Sequence, residues 1–429
     1  MIRFIYNLLW PLGLLFFLPG NFAKMIRRGG YREKFGQRVG IYDGALQNRL
    51  SNQGSTWLHA VSVGEVNIAL KLANALRDLE SDLHYVLTTT TTTGFALARK
   101  TAPSWIEVMY TPLDYWPIMR RAFSVIRPAR IVLVEAEVWP NLATAAHARR
   151  IPLALVNARL SPRSERRYRR FRFFVAPTFR LLDLVCVPER QDVERWTALG
   201  VARDRIHVTG SIKFDPDVQA LTDTVGASGA DGFGPDSLVL FGGSTHRGEE
   251  EILARVFLRL RDQFPSLRLF IAPRHVERLQ EIRTQLRALP LRVTLASELL
   301  TGGATDADCM LLDTTGELQR WYGIATVVFI GKSLTAHGGQ NPVEPILAGK
   351  PVVFGPYMEN FATLAETLVS NNAAMQVNDT DSLECTVGAL LRDSGVRQRL
   401  AENAHDALSE HQGATARTAK LVHELGLRR

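Results

Sequence analysis

Cysteine is scarce in this chain: three in 429 residues, at 186, 309 and 385. No two are close enough to form a C-x-x-C pair. A disulfide scaffold and a thiolate zinc site are thereby excluded, and the usage fits a reducing compartment. Cys186, inside the apolar run Leu184–Val187, reads as a buried free thiol. Long apolar runs are missing too. A single stretch, Phe4 to Pro19, approaches a membrane helix, so a polytopic membrane protein is excluded. The GxxxxGK[ST] spacing of a P-loop is absent, as are RNP, KH and zinc-finger patterns, and nucleic acid is not the expected partner. What remains is ordinary globular composition, 46% hydrophobic and 22% charged, with enough length for two or three domains.

The net charge of +8 is unevenly placed. Residues 1–40 hold seven basic residues and one acid, and residues 157–174 hold seven arginines and one acid. The rest of the chain is mildly acidic. Two local basic patches suit a phosphate-rich partner, such as an anionic membrane surface or a phosphorylated lipid. In the first patch the apolar stretch is followed by Lys24, Arg27, Arg28, Arg32, Lys34 and Arg38. A signal peptide would place its charge first and end in a small-residue cleavage site. The order here predicts an N-terminal anchor over residues 1–24, with the remaining chain on the cytoplasmic side. A buried core helix is the competing reading.

After residue 55, short β-type runs alternate with helical segments. Trp57–Val61, His84–Thr90, Ile131–Val134, Leu153–Val156, Leu184–Val187 and Ile206–Val208 read as strands. Glu65–Leu79, Gly94–Lys100 and Trp139–Arg149 read as helices between them. The Asp-, Gly- and Pro-rich segment 215–237 reads as a linker. The alternation then restarts with strands at Leu238–Phe241, Leu267–Ala272, Met310–Leu312, Thr326–Ile330 and Pro351–Phe354. Such alternation predicts parallel sheets covered by helices on both faces. The expectation is an α/β protein with two doubly wound, Rossmann-like domains, 25–214 and 238–429, facing a central cleft.

Ligands of open parallel sheets bind beyond the carboxyl ends of the strands. Four loops of the first half lie there. Ser62-Val63-Gly64-Glu65 puts a carboxylate in the first turn of a helix, either to complement the helix dipole or to serve as a general base. Glu135-Ala136-Glu137 places two carboxylates on one side if the chain stays extended. The segment Arg159 to Arg172 interleaves arginines with Tyr168 and Phe171, followed by Phe173 and Phe174. That surface suits phosphate or membrane contact through Arg163, Arg166, Arg167, Arg169 and Arg170. Lys213, in Gly210-Ser211-Ile212-Lys213, could meet an anionic leaving group.

The second half offers Gly242-Gly243-Ser244-Thr245-His246, Pro273-Arg274-His275, Thr314-Thr315-Gly316-Glu317 and the run Gly338 to Pro345. Backbone N–H groups at such strand-to-helix turns bind anions. In the last run Asn341 fits N-cap, Pro342 N1 and Glu344 N3, so capping competes with ligand binding there. Four such loops in one domain describe a nucleotide pocket.

Taken in order, HAVSVGEV (59–66), VEAEVWPN (134–141), NARLSPRS (157–164), GSIKFD (210–215), GGSTHRGEE (242–250), APRH (272–275), DTTGEL (313–318) and GGQNPVEP (338–345) resemble the 3-deoxy-D-manno-octulosonate (Kdo) transferase family, two-domain glycosyltransferases of the GT-B type. The resemblance covers nearly the whole chain. It implies inverting transfer of Kdo from CMP-Kdo to the lipid A precursor, lipid IVA, at an anionic inner membrane. It also implies no metal and no bound cofactor, CMP-Kdo being a co-substrate. The family's base maps to Glu65 and its transition-state residues to Glu135 and Lys213. Its CMP contacts map to Pro273, Arg274, Thr315, Gly316, Glu317, Asn341, Pro342, Val343 and Glu344. Two positions depart from the pattern: similar sequences read Gly-Gly-Ser where this one has Gly331-Lys332-Ser333, and His where it has Gln340. The alternative reading is another GT-B enzyme, a glycosyltransferase or epimerase that uses a UDP-sugar.

Overall fold

The structure, a computed structural model, describes residues 4, 6–10, 34–50, 54–80, 83–215, 237–299, 307–313 and 318–427. The chain divides into two compact units, one of residues 1–215 with 411–429 and the other of residues 216–410.

The first unit holds a parallel sheet of seven strands: β1 (Ser55–Ala60), β2 (His84–Thr89), β3 (Ile106–Tyr110), β4 (Pro128–Val134), β5 (Leu153–Val156), β6 (Leu184–Val187) and β7 (Ile206–Val208). Their spatial order is β3-β2-β1-β4-β5-β6-β7. Alternate residues feed two cores, one on each face. Trp57, Ile131 and Leu133 enter one, and Leu58, Val132 and Val134 the other. Burial on both faces is why these strands read as continuous apolar runs. The six consecutive threonines Thr88–Thr93 are shared between two elements. Thr88 and Thr89 end β2, and Thr91 caps the helix Thr92–Thr101 by accepting the Gly94 N–H.

The last helix, Ala414–Leu427, belongs to this first unit. The expected second domain ran to residue 429, and the structure ends that unit at Glu410. Ala419 and Val422 enter the same core as Leu58 and Val132. The Arg130 guanidinium, nearly buried, donates two hydrogen bonds to Glu80 at 2.7 and 2.5 Å and one to the Val422 carbonyl at 3.3 Å. His423 Nδ1 also meets Glu80, at 2.5 Å. An amphipathic helix shows that it needs a core, not which core. Asp215 completes the join, its carboxylate accepting the N–H groups of Gly413 and Thr415 at 2.7 and 2.6 Å.

Of the expected anchor, residues 4 and 6–10 are described, and they are helical. Tyr6 lies against Asp114, Trp10 stacks on Tyr115, and the Asn7 and Asn141 side chains exchange hydrogen bonds at 2.9 Å. Phe4, Leu8 and Leu9 stay exposed. Among the described residues no helix is long and apolar enough to cross a membrane.

The second unit repeats the plan with β8 (Leu238–Thr245), β9 (Leu267–Pro273), β10 (Val293–Leu295), β11 (Cys309–Leu311), β12 (Val327–Ile330), β13 (Val352–Phe354) and β14 (Met375–Gln376). The order is β10-β11-β9-β8-β12-β13-β14, all parallel. Leu240, Ile271 and Phe329 anchor one core face, and Phe241, Phe270 and Val328 are buried on the other. The expected linker, 215–237, lies outside the described residues except at Asp215 and Ser237.

Candidate active site

In each sheet the strand order reverses once, between β1 and β4 in the first unit and between β8 and β12 in the second. Such a reversal splays the loops that follow the two strands and opens a crevice.

In the first unit the loop after β1 carries Glu65 and the loop after β4 carries Glu135 and Glu137. Glu65 sits in the first turn of the helix Val63–Leu79, whose N-cap is Ser62. Its carboxylate folds back over the helix start. One oxygen accepts the Val61 N–H at 2.8 Å and the other the Ser62 hydroxyl at 2.8 Å. The capping role is therefore real. It leaves lone-pair capacity on both oxygens, since a carboxylate accepts about four bonds. Glu65 is 7% exposed, and burial raises its pKa while the Val61 and Ser62 hydrogen bonds oppose the rise. A buried carboxylate of raised basicity suits a general base.

Glu135 has φ of 63°, a left-handed conformation that costs a non-glycine residue about 1–2 kcal/mol. The chain thus turns at Glu135 instead of staying extended, and the expected i, i+2 alignment with Glu137 does not arise that way. The Glu135 N–H donates to the Val156 carbonyl at 3.0 Å, which fixes the turn. Burial and then the Glu65 charge raise the Glu135 pKa, with Lys213 and Arg159 opposing. Glu137 is raised by burial, Glu65 and Glu135. Lys213 is lowered by burial, partly restored by Glu135 and lowered again by Arg159. Glu65, Glu135 and Lys213, widely spaced in sequence, therefore share one electrostatic neighbourhood.

Two contributors were missed by sequence reasoning. Arg159, counted with the surface patch, brings its charge to Glu135 and Lys213. Asn157, left-handed at φ 50°, accepts the Ser211 hydroxyl at 3.2 Å and the Ile212 N–H at 3.1 Å, and so holds the loop that carries Lys213. An asparagine ending a strand is the available signal for both, because it tolerates the left-handed turn that redirects the next residue.

The crevice of the second unit is built differently. Gly331 follows β12, and a Cβ there would stand 2.2 Å from the Ser244 carbonyl oxygen, so only glycine permits the two loops to touch. Glu249, fully buried, binds them together. One oxygen accepts the N–H groups of His246 and Lys332 at 2.8 and 2.7 Å, and the other those of Ser333 and Leu334 at 3.0 and 3.1 Å. The sequence signal for Glu249 was the acidic triplet that opens its helix. Around these loops stand His246, His275, Arg274 and Lys332. The rings of His246 and His275 are 5.6 Å apart, and the Arg274 N–H donates to the Thr245 carbonyl at 3.0 Å. Burial lowers the His246 pKa, and Lys332 and His275 add to that.

Pro273 ends β9 and Arg274 follows it. The Asn341 side chain accepts the Val343 N–H at 3.1 Å and donates to Glu344 at 3.2 Å, bracing the loop, while the N-cap of the helix Val343–Leu347 is Pro342, one residue later than the expected Asn341. Glu344 is raised by burial, opposed by Asn341 and by the Arg274 charge. Arg274 thus belongs with the Asn341–Glu344 loop. Thr315, Gly316 and Glu317 lie outside the described residues.

Arg163, Arg166, Arg167, Arg169 and Arg170 stand exposed along the helix Pro162–Arg170. Arg169 is engaged by Glu165 at 2.8 Å. Arg167 and Arg170 lie over the rings of Tyr168 and Phe171. Phe171, Phe173 and Phe174 are 49, 69 and 50% exposed, an apolar tip beside the cations. Among the described residues no group of three or more His, Cys, Asp or Glu side chains is placed to hold a metal ion.

Two doubly wound units of this plan share the GT-B fold of solved glycosyltransferases. A solved glycosyltransferase of Rickettsia africae has the same fold, with a TM-score of 0.55 over 88% of this chain and 100% of its own, at 10% identity. Residues 33–216 match the family model described as 3-deoxy-D-manno-octulosonic-acid transferase (kdotransferase). The 3-deoxy-D-manno-octulosonic acid transferase of Haemophilus influenzae is 32% identical, over 91% of this chain and 91% of its own. That of Bordetella pertussis is 33% identical, over 84% and 85%. The chain belongs to the Kdo transferase family.

Proposed function

We propose that this Kdo transferase moves Kdo from CMP-Kdo to the lipid A precursor with inversion at the anomeric carbon, and that Glu65 is its general base. The observation that carries the reading is the Glu65 carboxylate itself: buried, raised in pKa, and set at the point where the first sheet reverses its strand order. An acceptor hydroxyl is a poor nucleophile until a base takes its proton. In the proposed step that proton passes to Glu65, the acceptor oxygen bonds to the anomeric carbon, and the bond from that carbon to the phosphate oxygen breaks. CMP leaves with the bonding electrons.

Positive charge grows on the Kdo ring as the bond to CMP weakens, and the Glu135 carboxylate stabilises it. Lys213 and Arg159 favour the ionised form of Glu135, against burial and the Glu65 charge. The phosphate of CMP is met by Arg274 and by backbone N–H groups at helix starts, while the loop from Asn341 to Glu344, with Pro342 and Val343, and the residues Thr315, Gly316 and Glu317 hold the nucleoside. Charge compensation by these groups is the reason no metal is invoked.

The acceptor is a bisphosphorylated lipid, so the enzyme works at the cytoplasmic side of the inner membrane. The exposed arginines with Phe171, Phe173 and Phe174, and the exposed Phe4, Leu8 and Leu9, support that placement. Basic side chains beside apolar tips favour anionic bilayers.

The test is a transfer assay in which purified enzyme receives CMP-Kdo, generated in place, and a tetraacylated lipid A precursor, with products read by mass spectrometry. A product heavier by one or more Kdo units is expected. A folded enzyme that yields none, and that UDP rather than CMP protects against thermal unfolding, would transfer the reading to a UDP-sugar enzyme.

A further inference from the structure

Lys332 is left-handed, with φ of 57°, a conformation that glycine accepts far more readily than lysine. Its own N–H is held by Glu249, and its carbonyl accepts the Gly339 N–H at 2.9 Å. The next bond of the same pair runs from the Gln340 N–H to the Gly331 carbonyl at 3.1 Å. Lys332 and Gln340 are thus neighbours across a single backbone pairing.

The Lys332 side chain is half-buried, and its ammonium lies 3.3 Å from the place a Cβ on Gly338 would occupy, over the glycine turn that opens the Asn341 loop. Among the described residues the ammonium has no hydrogen bond and no ion pair. Glu249, the carboxylate bound to the Lys332 backbone, has its two oxygens occupied by four N–H groups. The ammonium also acts on the His246 ring, which marks how near it stands to the loop after β8. A strained backbone that holds an unpaired cation at a strand-order reversal is a costly arrangement, and such strain concentrates where a ligand is bound.

We propose that Lys332 is a donor-binding residue of this enzyme, its ammonium contacting the phosphate of the CMP moiety. The role rests on the CMP-Kdo reading above. The phosphate oxygen accepts a charge-assisted hydrogen bond from the ammonium, with the glycine turn 338–339 leaving room for it.

The experiment titrates CMP calorimetrically into the full chain as wild type, Lys332→Gly and Lys332→Arg. Loss of a charge-assisted contact is expected to weaken CMP by roughly ten- to a hundred-fold in Lys332→Gly, with a shallower salt dependence. Lys332→Arg should stay within about threefold of wild type, because it keeps the charge. The melting temperature of Lys332→Gly should be equal or higher, since glycine relieves the left-handed strain. A Lys332→Gly variant that binds CMP as tightly as wild type would overturn the role of Lys332 while leaving CMP as the donor nucleotide. An Arg variant as weak as the Gly variant, with both less stable, would assign the loss to packing. A wild type that binds no CMP would remove the donor reading and this role with it.

Discussion

The two units solve one topological problem with opposite charges. Each sheet reverses its strand order once, between β1 and β4 or between β8 and β12, and each reversal is lined by a glutamate in the first turn of the helix that follows. In the first unit that glutamate is Glu65, with two hydrogen bonds to its carboxylate and two further carboxylates nearby. In the second it is Glu249, with four backbone N–H groups and cations around it. The difference separates a carboxylate whose lone pairs are all engaged from one left free for the proposed proton transfer. Glu249 is saturated, so its negative charge is spent on holding loops together. Glu65 keeps lone pairs in reserve, and burial holds its proton affinity up.

The largest expected effect lies on the acidic side. Glu65→Gln should lower turnover by ~10²–10⁴-fold while CMP affinity stays within a factor of about two. Steady-state kinetics beside calorimetry checks both numbers on one preparation. The matching substitution in the second unit should break the comparison in the other direction. Glu249→Ala strands four buried N–H groups and should cost about 3 kcal/mol or more of stability, each unsatisfied group costing about 1–3 kcal/mol. Denaturant unfolding reads it, and a loss below about 1 kcal/mol would make Glu249 a bystander.

A smaller effect has a definite sign in pH. Glu137 is held above the ordinary carboxylate value by burial, then by Glu65 and Glu135. A carboxyl that binds its proton more tightly in the folded state adds stability below its unfolded pKa, and loses that contribution as pH rises through its folded pKa. Glu137→Gln should therefore raise the melting temperature at pH 8 by about 1–3 °C, and by nothing measurable below pH 4. A gain that is equal at both pH values would detach Glu137 from the acidic cluster. The smallest structural effect belongs to the surface. Replacing Arg166, Arg167 and Arg170 by Gln should reduce binding to vesicles of anionic lipid by about 1 kcal/mol per arginine near the surface, with CMP affinity unchanged. Co-sedimentation measures it, and a weakened CMP affinity instead would move that patch to the donor side.

Much of the framework was legible in residue pattern. Leu153–Val156, Leu184–Val187 and Ile206–Val208 were delimited correctly because buried parallel strands are uninterrupted apolar runs. Three strands escaped. Ile106–Tyr110 is broken by Glu107, while Val293–Leu295 and Met375–Gln376 are too short to show a period. The helix Ala414–Leu427 was assigned to the wrong core, because its partners Arg130 and Glu80 are some three hundred residues away in sequence. At the site, the order of motifs singled out Glu65, Glu135 and Lys213, and the structure brings the charges of Glu65 and Lys213 to bear on Glu135. What sequence concealed was backbone conformation. The left-handed turns at Glu135, Asn157 and Lys332 are set by tertiary contacts, and no local propensity announces a lysine in a glycine position.

The central claim is that the acidic crevice does the proton chemistry and the cationic crevice holds the nucleotide. Hydrogen–deuterium exchange with and without CMP tests that division most directly. The account predicts that CMP slows exchange in peptides covering 242–246 and 331–344, and leaves peptides covering 61–66 and 134–138 unchanged. Protection concentrated in 61–66 or 134–138, with 242–246 and 331–344 unmoved, would contradict it.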